Sequence, residues 1–144
     1  MTKEKDICIK LAFIVLLAII FCTIAPPINY LFANGTDNSL DVIMFYGAGC
    51  LHCTHASQWL NDKKADIPEL NLQMKEIYSD EENLGLLRKF ESQYGFQTEK
   101  IPVILIGEEV FQGWSNSVKE EVNEKINESL KSPPPSPLEI LKGE

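Results

Sequence analysis

The hydrophobic pattern opens with one long apolar block and then breaks into shorter alternating segments. Leu11–Ala25 (LAFIVLLAIIFCTIA) is a run of 15 residues without a charge. As a helix it rises about 22 Å, short of the roughly 30 Å hydrocarbon core of a bilayer. Adding Ile7–Lys10, with the Lys10 stem snorkelling, extends it to about 28 Å. Continuing through Ile28–Phe32 lengthens it further, past a kink at Pro26-Pro27. The run has no polar face, so it reads as a membrane segment rather than a buried core helix. Beyond it, Val42–Tyr46 (VIMFY) is a continuous apolar run of strand formers, the pattern of a strand covered on both faces. Gly47 and Gly49 break it. A helix is expected from Cys50 or just after to about Lys64, with Ala56, Trp59 and Leu60 inward, ended by Asp66-Ile67-Pro68.

Leu70–Tyr78 alternates as a second strand, with Leu70, Leu72, Met74 and Ile77 inward. Ser79-Asp80-Glu81-Glu82 has the form of a capping box. The helix after it carries Leu84, Leu87 and Phe90 at helical spacing and stops near Gly95. Val103–Ile106 (VILI) is a third strand, and Gly107-Glu108 turns the chain into a short fourth, Glu109–Gln112. Ser117–Glu120 offers a second capping box. The last helix then lines up Val118, Val122, Ile126 and Leu130 on one stripe. The expected order is β-α-β-α-β-β-α, an α/β domain.

These patterns divide the chain into a membrane anchor or signal segment (residues 1–33), a polar linker (34–40), the α/β domain (41–130) and a proline-rich tail (131–144). The tail, KSPPPSPLEILKGE, contains four prolines and reads as an extended spacer or disordered segment. For the N-terminal segment an uncleaved anchor is favoured over a cleaved signal. Pro26 would follow a cut at Ala25, and Leu31-Phe32-Ala33 is an indifferent cleavage site. Cleavage would instead release a secreted domain.

Charge refines this picture. The chain has a net charge of −8. Residues 1–33 carry three lysines against two acids, a net of +1, which leaves 10 Lys/Arg against 19 Asp/Glu, a net of −9, for residues 34–144. An acidic domain is repelled by phosphate backbones, so nucleic acid is not an expected partner. Lys3, Lys5 and Lys10 precede the apolar run, and the next Lys or Arg after it is Lys63. That asymmetry puts the N-terminus in the cytoplasm and the domain on the extracytoplasmic side, where disulfides persist.

The candidate chemistry lies in Gly47–Ala56, GAGCLHCTHA. Cys50 falls at a strand-to-helix junction, expected in the first helical turn. Free N–H groups and the helix dipole there favour an anion and make the thiol more acidic than usual. Cys53, three residues on, shares that face and can close a disulfide with Cys50. Cys50 is the expected nucleophile and Cys53 the resolving thiol. A protonated His52 would add positive charge and stabilise the Cys50 thiolate. His55 is expected to be solvated. The two glycines leave the approach to Cys50 uncluttered.

Other readings of the pair are open. Haem attachment requires His directly after the second cysteine, and Thr54 stands there. A structural zinc site wants four ligands, usually from two separated pairs, and Cys8 and Cys22 lie in the N-terminal segment. A Cu(I) clip through the two thiolates suits soft sulfur ligands, giving a copper-binding, chaperone-type module. Two inert buried thiols are the plain alternative.

Cys-Leu-His-Cys after a strand, together with Ile101-Pro102-Val103 before another strand, resembles the thioredoxin superfamily. The likeness runs from about Asp41 to Leu130. It implies a thioredoxin-like fold in which Pro102 is cis and packs beside the redox pair. It also implies that Ile101 offers its backbone to an extended substrate segment. Only 48 residues separate Cys53 from Pro102. That leaves no room for the helical insertion of the periplasmic disulfide oxidases, and the size is similar to a small thioredoxin or glutaredoxin domain. Gly49 replaces the tryptophan usual before the first cysteine of thioredoxins, and no proline lies between the cysteines. Met44 stands where thioredoxins tend to keep a buried acid, and Phe111–Trp114 departs from the Gly-Gly segment of glutaredoxins.

The expected function is a membrane-tethered, extracytoplasmic thiol–disulfide oxidoreductase acting on protein thiols and disulfides, with a membrane electron-transfer protein as a further partner. No cofactor and no resident metal are expected. The alternatives are the copper-binding module and a non-catalytic binding domain of the same fold.

Overall fold

The computed structural model describes residues 39–143. The chain divides into two units, Met1–Thr36 and Asp37–Glu144. The expected membrane helix and most of the expected linker lie outside the described residues. No helix among the described residues is long and apolar enough to cross a membrane.

The element order is β1 (Leu40–Tyr46), α1 (Leu51–Asp66), β2 (Leu70–Glu76), α2 (Glu81–Tyr94), β3 (Val103–Ile106), β4 (Glu109–Gln112), α3 (Asn116–Ser129) and α4 (Pro137–Lys142). Through α3 this is the β-α-β-α-β-β-α order of a thioredoxin-like fold. The four strands form one sheet in the order β2-β1-β3-β4. β1 pairs parallel with β2 and antiparallel with β3, and β3 pairs antiparallel with β4.

The central strands separate two cores because side chains alternate across a sheet. Leu40, Val42 and Met44 of β1 and Ile104 and Ile106 of β3 join Ala56 and Leu60 of α1 and Val122 and Ile126 of α3. Ile43 and Phe45 of β1 and Val103 and Leu105 of β3 join Leu87 and Phe90 of α2. All the residues from Val42 to Phe45 and from Val103 to Ile106 are fully buried. This explains why both strands read as unbroken apolar runs. In the second core the Phe90 ring meets Phe45 edge-on at 5.9 Å and Tyr94 at 5.5 Å.

Away from the cysteine pair, four departures from the sequence expectation stand out. Met74 points inward by periodicity but is exposed. β2 is an edge strand, and the core beneath it reaches only to Leu72. The N-cap of α2 is Asp80, whose carboxylate accepts from the Asn83 N–H, and not Ser79, whose N–H and hydroxyl donate to Glu76 instead. The N-cap of α3 is Ser115, accepting from the Val118 N–H, and not Ser117.

The fourth departure is the tail, which is neither a bare spacer nor an unstructured end. Pro134 packs against Gly107, and Pro137 opens α4 at a position where its missing N–H costs nothing. The Ser136 N–H donates to Glu139, and Leu138 and Leu141 rest on the second core. The prolines end α3 as expected, but the apolar Leu138, Ile140 and Leu141 behind them are enough to bring the chain back onto the sheet.

Partial burial of two leucines is worth about 2–3 kcal/mol. A Leu138→Ala/Leu141→Ala variant should therefore lose about that much stability in urea unfolding, with the folded far-UV circular dichroism unchanged. An unshifted midpoint would show that α4 contributes nothing.

Candidate functional site

All the chemistry-bearing segments meet at one end of the sheet, for a topological reason. β1 and β2 are parallel and leave at the same end, with Tyr46 opposite Glu76. β3 enters at that end, since Phe45 pairs with Val103, and β4 leaves there, since Val103 pairs with Gln112. The turn after β1, the turn after β2, the segment before β3 and the loop after β4 are thus brought together. They hold Cys50, Tyr78, Ile101-Pro102 and Trp114 respectively.

Cys50 is the N-cap of α1, one position ahead of the expected first turn, with extended backbone angles (φ −77°, ψ 116°). Its Sγ accepts from the Cys53 N–H at 3.1 Å, one of the free donors of the helix start. Its own N–H donates to the Gly47 carbonyl at 3.2 Å, closing the turn. Cys50 and Cys53 form a disulfide, with Cα atoms 5.2 Å apart, in the normal range for such a bridge. The two sulfurs are unequal. Cys50 is half-buried and lines the open surface, whereas Cys53 is 2% exposed. Met44 and Ala56 share the apolar cluster that holds Cys53. The only buried polar or charged residue among those described is Ser129. Burial among apolar groups disfavours a thiolate at Cys53 once the bridge is opened, while the helix start favours one at Cys50.

His52 is exposed, and its Nδ1 lies 3.1 Å from the Trp114 carbonyl. A carbonyl only accepts, so this nitrogen carries the proton and donates. The imidazole therefore ties α1 to the loop after β4. His55 is exposed, as expected. Trp59 is half-buried, not fully inward. It packs on Trp114 at 5.5 Å between ring centroids, with Lys63 and Lys119 over its ring at 5.2 and 5.8 Å.

The Ile101–Pro102 peptide is cis. Pro102 is buried, and its carbonyl accepts from the Gly113 N–H at 2.8 Å, joining this segment to the end of β4. Ile101 is half-buried and touches both cores. Its N–H and C=O pair with no backbone group among the described residues. Cys50, Ile101, Tyr78 and Trp114 line one groove of about 660 Å³. A second hollow of about 390 Å³ on the other side of Cys50 is lined by Cys53, Ser57, Asn61 and Asp62. Among the described residues no group of three or more His, Cys, Asp or Glu side chains could hold a metal ion.

The two glycines ahead of Cys50 have different causes. Gly49 sits at φ +80°, where a side chain would be strained. At Gly47 a neighbour takes the space: a Cβ there would clash with the Tyr78 ring as it now lies. The space beside Gly47 is therefore filled by Tyr78, and only Gly49 leaves open room.

Glu76 was not legible as a site residue. Its carboxylate accepts four hydrogen bonds, from the Ala48, Tyr78 and Ser79 N–H groups and the Ser79 hydroxyl, at 2.6–3.1 Å. It thereby pins the turn before Cys50 to the turn after β2. The Ser79 hydroxyl first, then the backbone donors of Ser79, Tyr78 and Ala48, hold its pKa down from 4.5 to about 2. The signal in sequence is slight: an acid at a strand end followed by Ser79 describes many turns. Tyr78 and Trp114 gave no signal beyond being aromatic.

No family model matches the chain, and no curated protein sequence matches it. Among solved structures it is similar to the glutaredoxin grx-1 from Archaeoglobus fulgidus, at 18% identity over 71% of this chain and 96% of that one, with a TM-score of 0.46. It is also similar to a candidate thiol:disulfide interchange protein DsbE from Chlorobium tepidum, at 16% identity over 65% and 82%, with a TM-score of 0.49. Glutaredoxin 1 from Francisella tularensis, complexed with cacodylate, is similar at 19% identity over 62% and 99%, with a TM-score of 0.44.

The Glu76 clamp predicts a pH dependence with a definite sign. A carboxylate whose pKa is depressed on folding stabilises the fold above its unfolded pKa and loses that contribution as pH falls through the folded one. Glu76→Gln should therefore lower the urea midpoint near neutral pH, and its deficit against the parent should close between about pH 4.5 and about pH 2. A deficit independent of pH would mean that the charge is not what holds the turn.

Proposed function

We propose that the chain is a thiol–disulfide oxidoreductase that exchanges disulfides with protein substrates through Cys50 and Cys53. The observation that carries this reading is the asymmetry of the bridged pair. One sulfur is reachable and accepts a helix-start N–H, and its partner is buried one turn deeper.

The steps follow from that asymmetry. In the reduced domain the Cys50 thiolate attacks one sulfur of a substrate disulfide. A Cys50–substrate bond forms, the substrate S–S bond breaks, and the departing substrate thiolate takes up a proton from water. Cys53 then loses its proton and attacks the Cys50 sulfur, closing the intramolecular bridge and expelling the second substrate thiol. The domain gives up two electrons and the substrate gains two. The reverse sequence oxidises a substrate dithiol. Proximity makes the second attack intramolecular and fast. The open N–H and C=O of Ile101 offer short strand pairing to an extended substrate segment beside Cys50. His52 holds the loop after β4 against the helix start and, when protonated, adds positive charge near the thiolate.

The domain works outside the cytoplasm, tethered by the N-terminal apolar run, and exchanges electrons with a membrane redox partner. The lysines ahead of that run and their absence between it and Lys63 support this orientation.

Insulin reduction by the full chain tests the chemistry. Cys50→Ser should abolish turnover, and Cys53→Ser should abolish turnover while accumulating mixed disulfides at Cys50. Parent-like rates in both variants would refute the reading. For the location, carbonate-washed membranes should retain the chain, and protease added to spheroplasts should digest residues 40–143. Recovery of the chain in the soluble fraction, or full protection from protease, would overturn the tethered orientation.

A further inference from the structure

Three large hydrophobic residues are exposed among those described: Leu51 at 66%, Met74 at 38% and Tyr78 at 65%. Exposed apolar side chains gathered around a reactive group mark a recognition surface more often than a random scatter does. Leu51 directly follows Cys50, and Tyr78 lines the same groove as Cys50 and Ile101. Tyr78 is also held in place. Its N–H donates to Glu76 at 2.9 Å, and its ring lies against Gly47, where no side chain could fit beneath it. The backbone of Tyr78 is held by Glu76 and its ring rests on Gly47 while staying largely in solvent, an arrangement that contributes no core packing of its own.

Trp114 lines the groove from the opposite side of the sheet. Tyr78 follows edge strand β2 and Trp114 follows edge strand β4; between them lie Cys50, after central strand β1, and Ile101, before central strand β3. Trp114 is anchored as well, by His52 on its carbonyl and Trp59 on its ring. Two aromatic rings thus flank Cys50. Among the described residues Lys100 is the only Lys or Arg lining the groove, and no carboxylate lines it, although the domain is strongly acidic. At about 660 Å³ the groove accepts a few residues of an extended segment.

We infer that Tyr78 is a specificity-determining residue that selects protein substrates carrying a large apolar or aromatic residue next to the reacting cysteine. Glu76 serves it as a positioning residue. This rests on the thiol–disulfide reading above. An aromatic flank gains by stacking on the exposed Tyr78 ring, whereas a small polar flank gains nothing from it.

The test uses the full chain with Cys8→Ser, Cys22→Ser and Cys53→Ala, so that Cys50 is the sole thiol. Two peptides of sequence Gly-Phe-Cys-Phe-Gly and Gly-Ser-Cys-Ser-Gly are supplied as nitrothiobenzoate mixed disulfides. Attack by Cys50 on the peptide sulfur forms the Cys50–peptide bond, breaks the peptide–aryl S–S bond and releases the coloured aryl thiolate with its electron pair. The Phe peptide is expected to react about fivefold faster or more. Tyr78→Ser should bring the ratio of rates to within about twofold of one, and Tyr78→Phe should keep it. A ratio near one in the parent, or a ratio that survives Tyr78→Ser, overturns the inference and leaves the chemistry standing. Aryl thiolate release that persists unchanged after Cys50→Ala overturns the thiol–disulfide reading itself.

Discussion

The N–H groups that open α1 have no helical carbonyl to bond, and Cys50 Sγ is placed where one of them points. That placement depends on a strand that cannot slide. β1 is buried on both faces, and shifting it by one residue would carry Val42 and Met44 into the core now filled by Ile43 and Phe45. The register of β1 therefore fixes where the strand ends and where the helix begins. A sulfur at that junction meets the donors. The reactivity assigned to Cys50 is a consequence of core packing several residues away.

The surroundings of the pair are organised by polar contacts between loops rather than by the core. Glu76 joins the turn before Cys50 to the turn after β2, His52 joins the start of α1 to the loop after β4, and Gly113 joins that loop to Pro102. These contacts lie at one end of the sheet and cross-link all four chain segments there. They hold Tyr78 and Trp114 beside the sulfur without fully burying either. The carboxylate at Glu76 suits this task because one group can accept from several backbone donors at once.

Much of the architecture was legible. VIMFY and VILI announced two strands buried on both faces, and the stripe of Val118, Val122, Ile126 and Leu130 announced the face of α3 that meets the sheet. The caps were less so. Ser79 satisfies the capping pattern ahead of Glu82, but a local pattern does not know that Glu76 competes for the same serine. The tail was misread because its prolines carry a strong local message. Leu138 and Leu141 respond to an apolar surface made by distant residues.

The linear order of residues by itself determined that a cysteine pair would lie at a strand-to-helix junction, because apolar runs and glycine breaks are local and fold the same way wherever they sit. Helical spacing also put Cys53 one turn behind Cys50 on the same face, close enough to bridge. Only the tertiary structure decided what surrounds that pair. Tyr78 and Trp114 are 36 positions apart in sequence, and they line one groove because β2 and β4 are opposite edges of a sheet whose strands all end or begin at the same side. Such neighbours are created by strand pairing, a long-range interaction that no local pattern of side chains encodes.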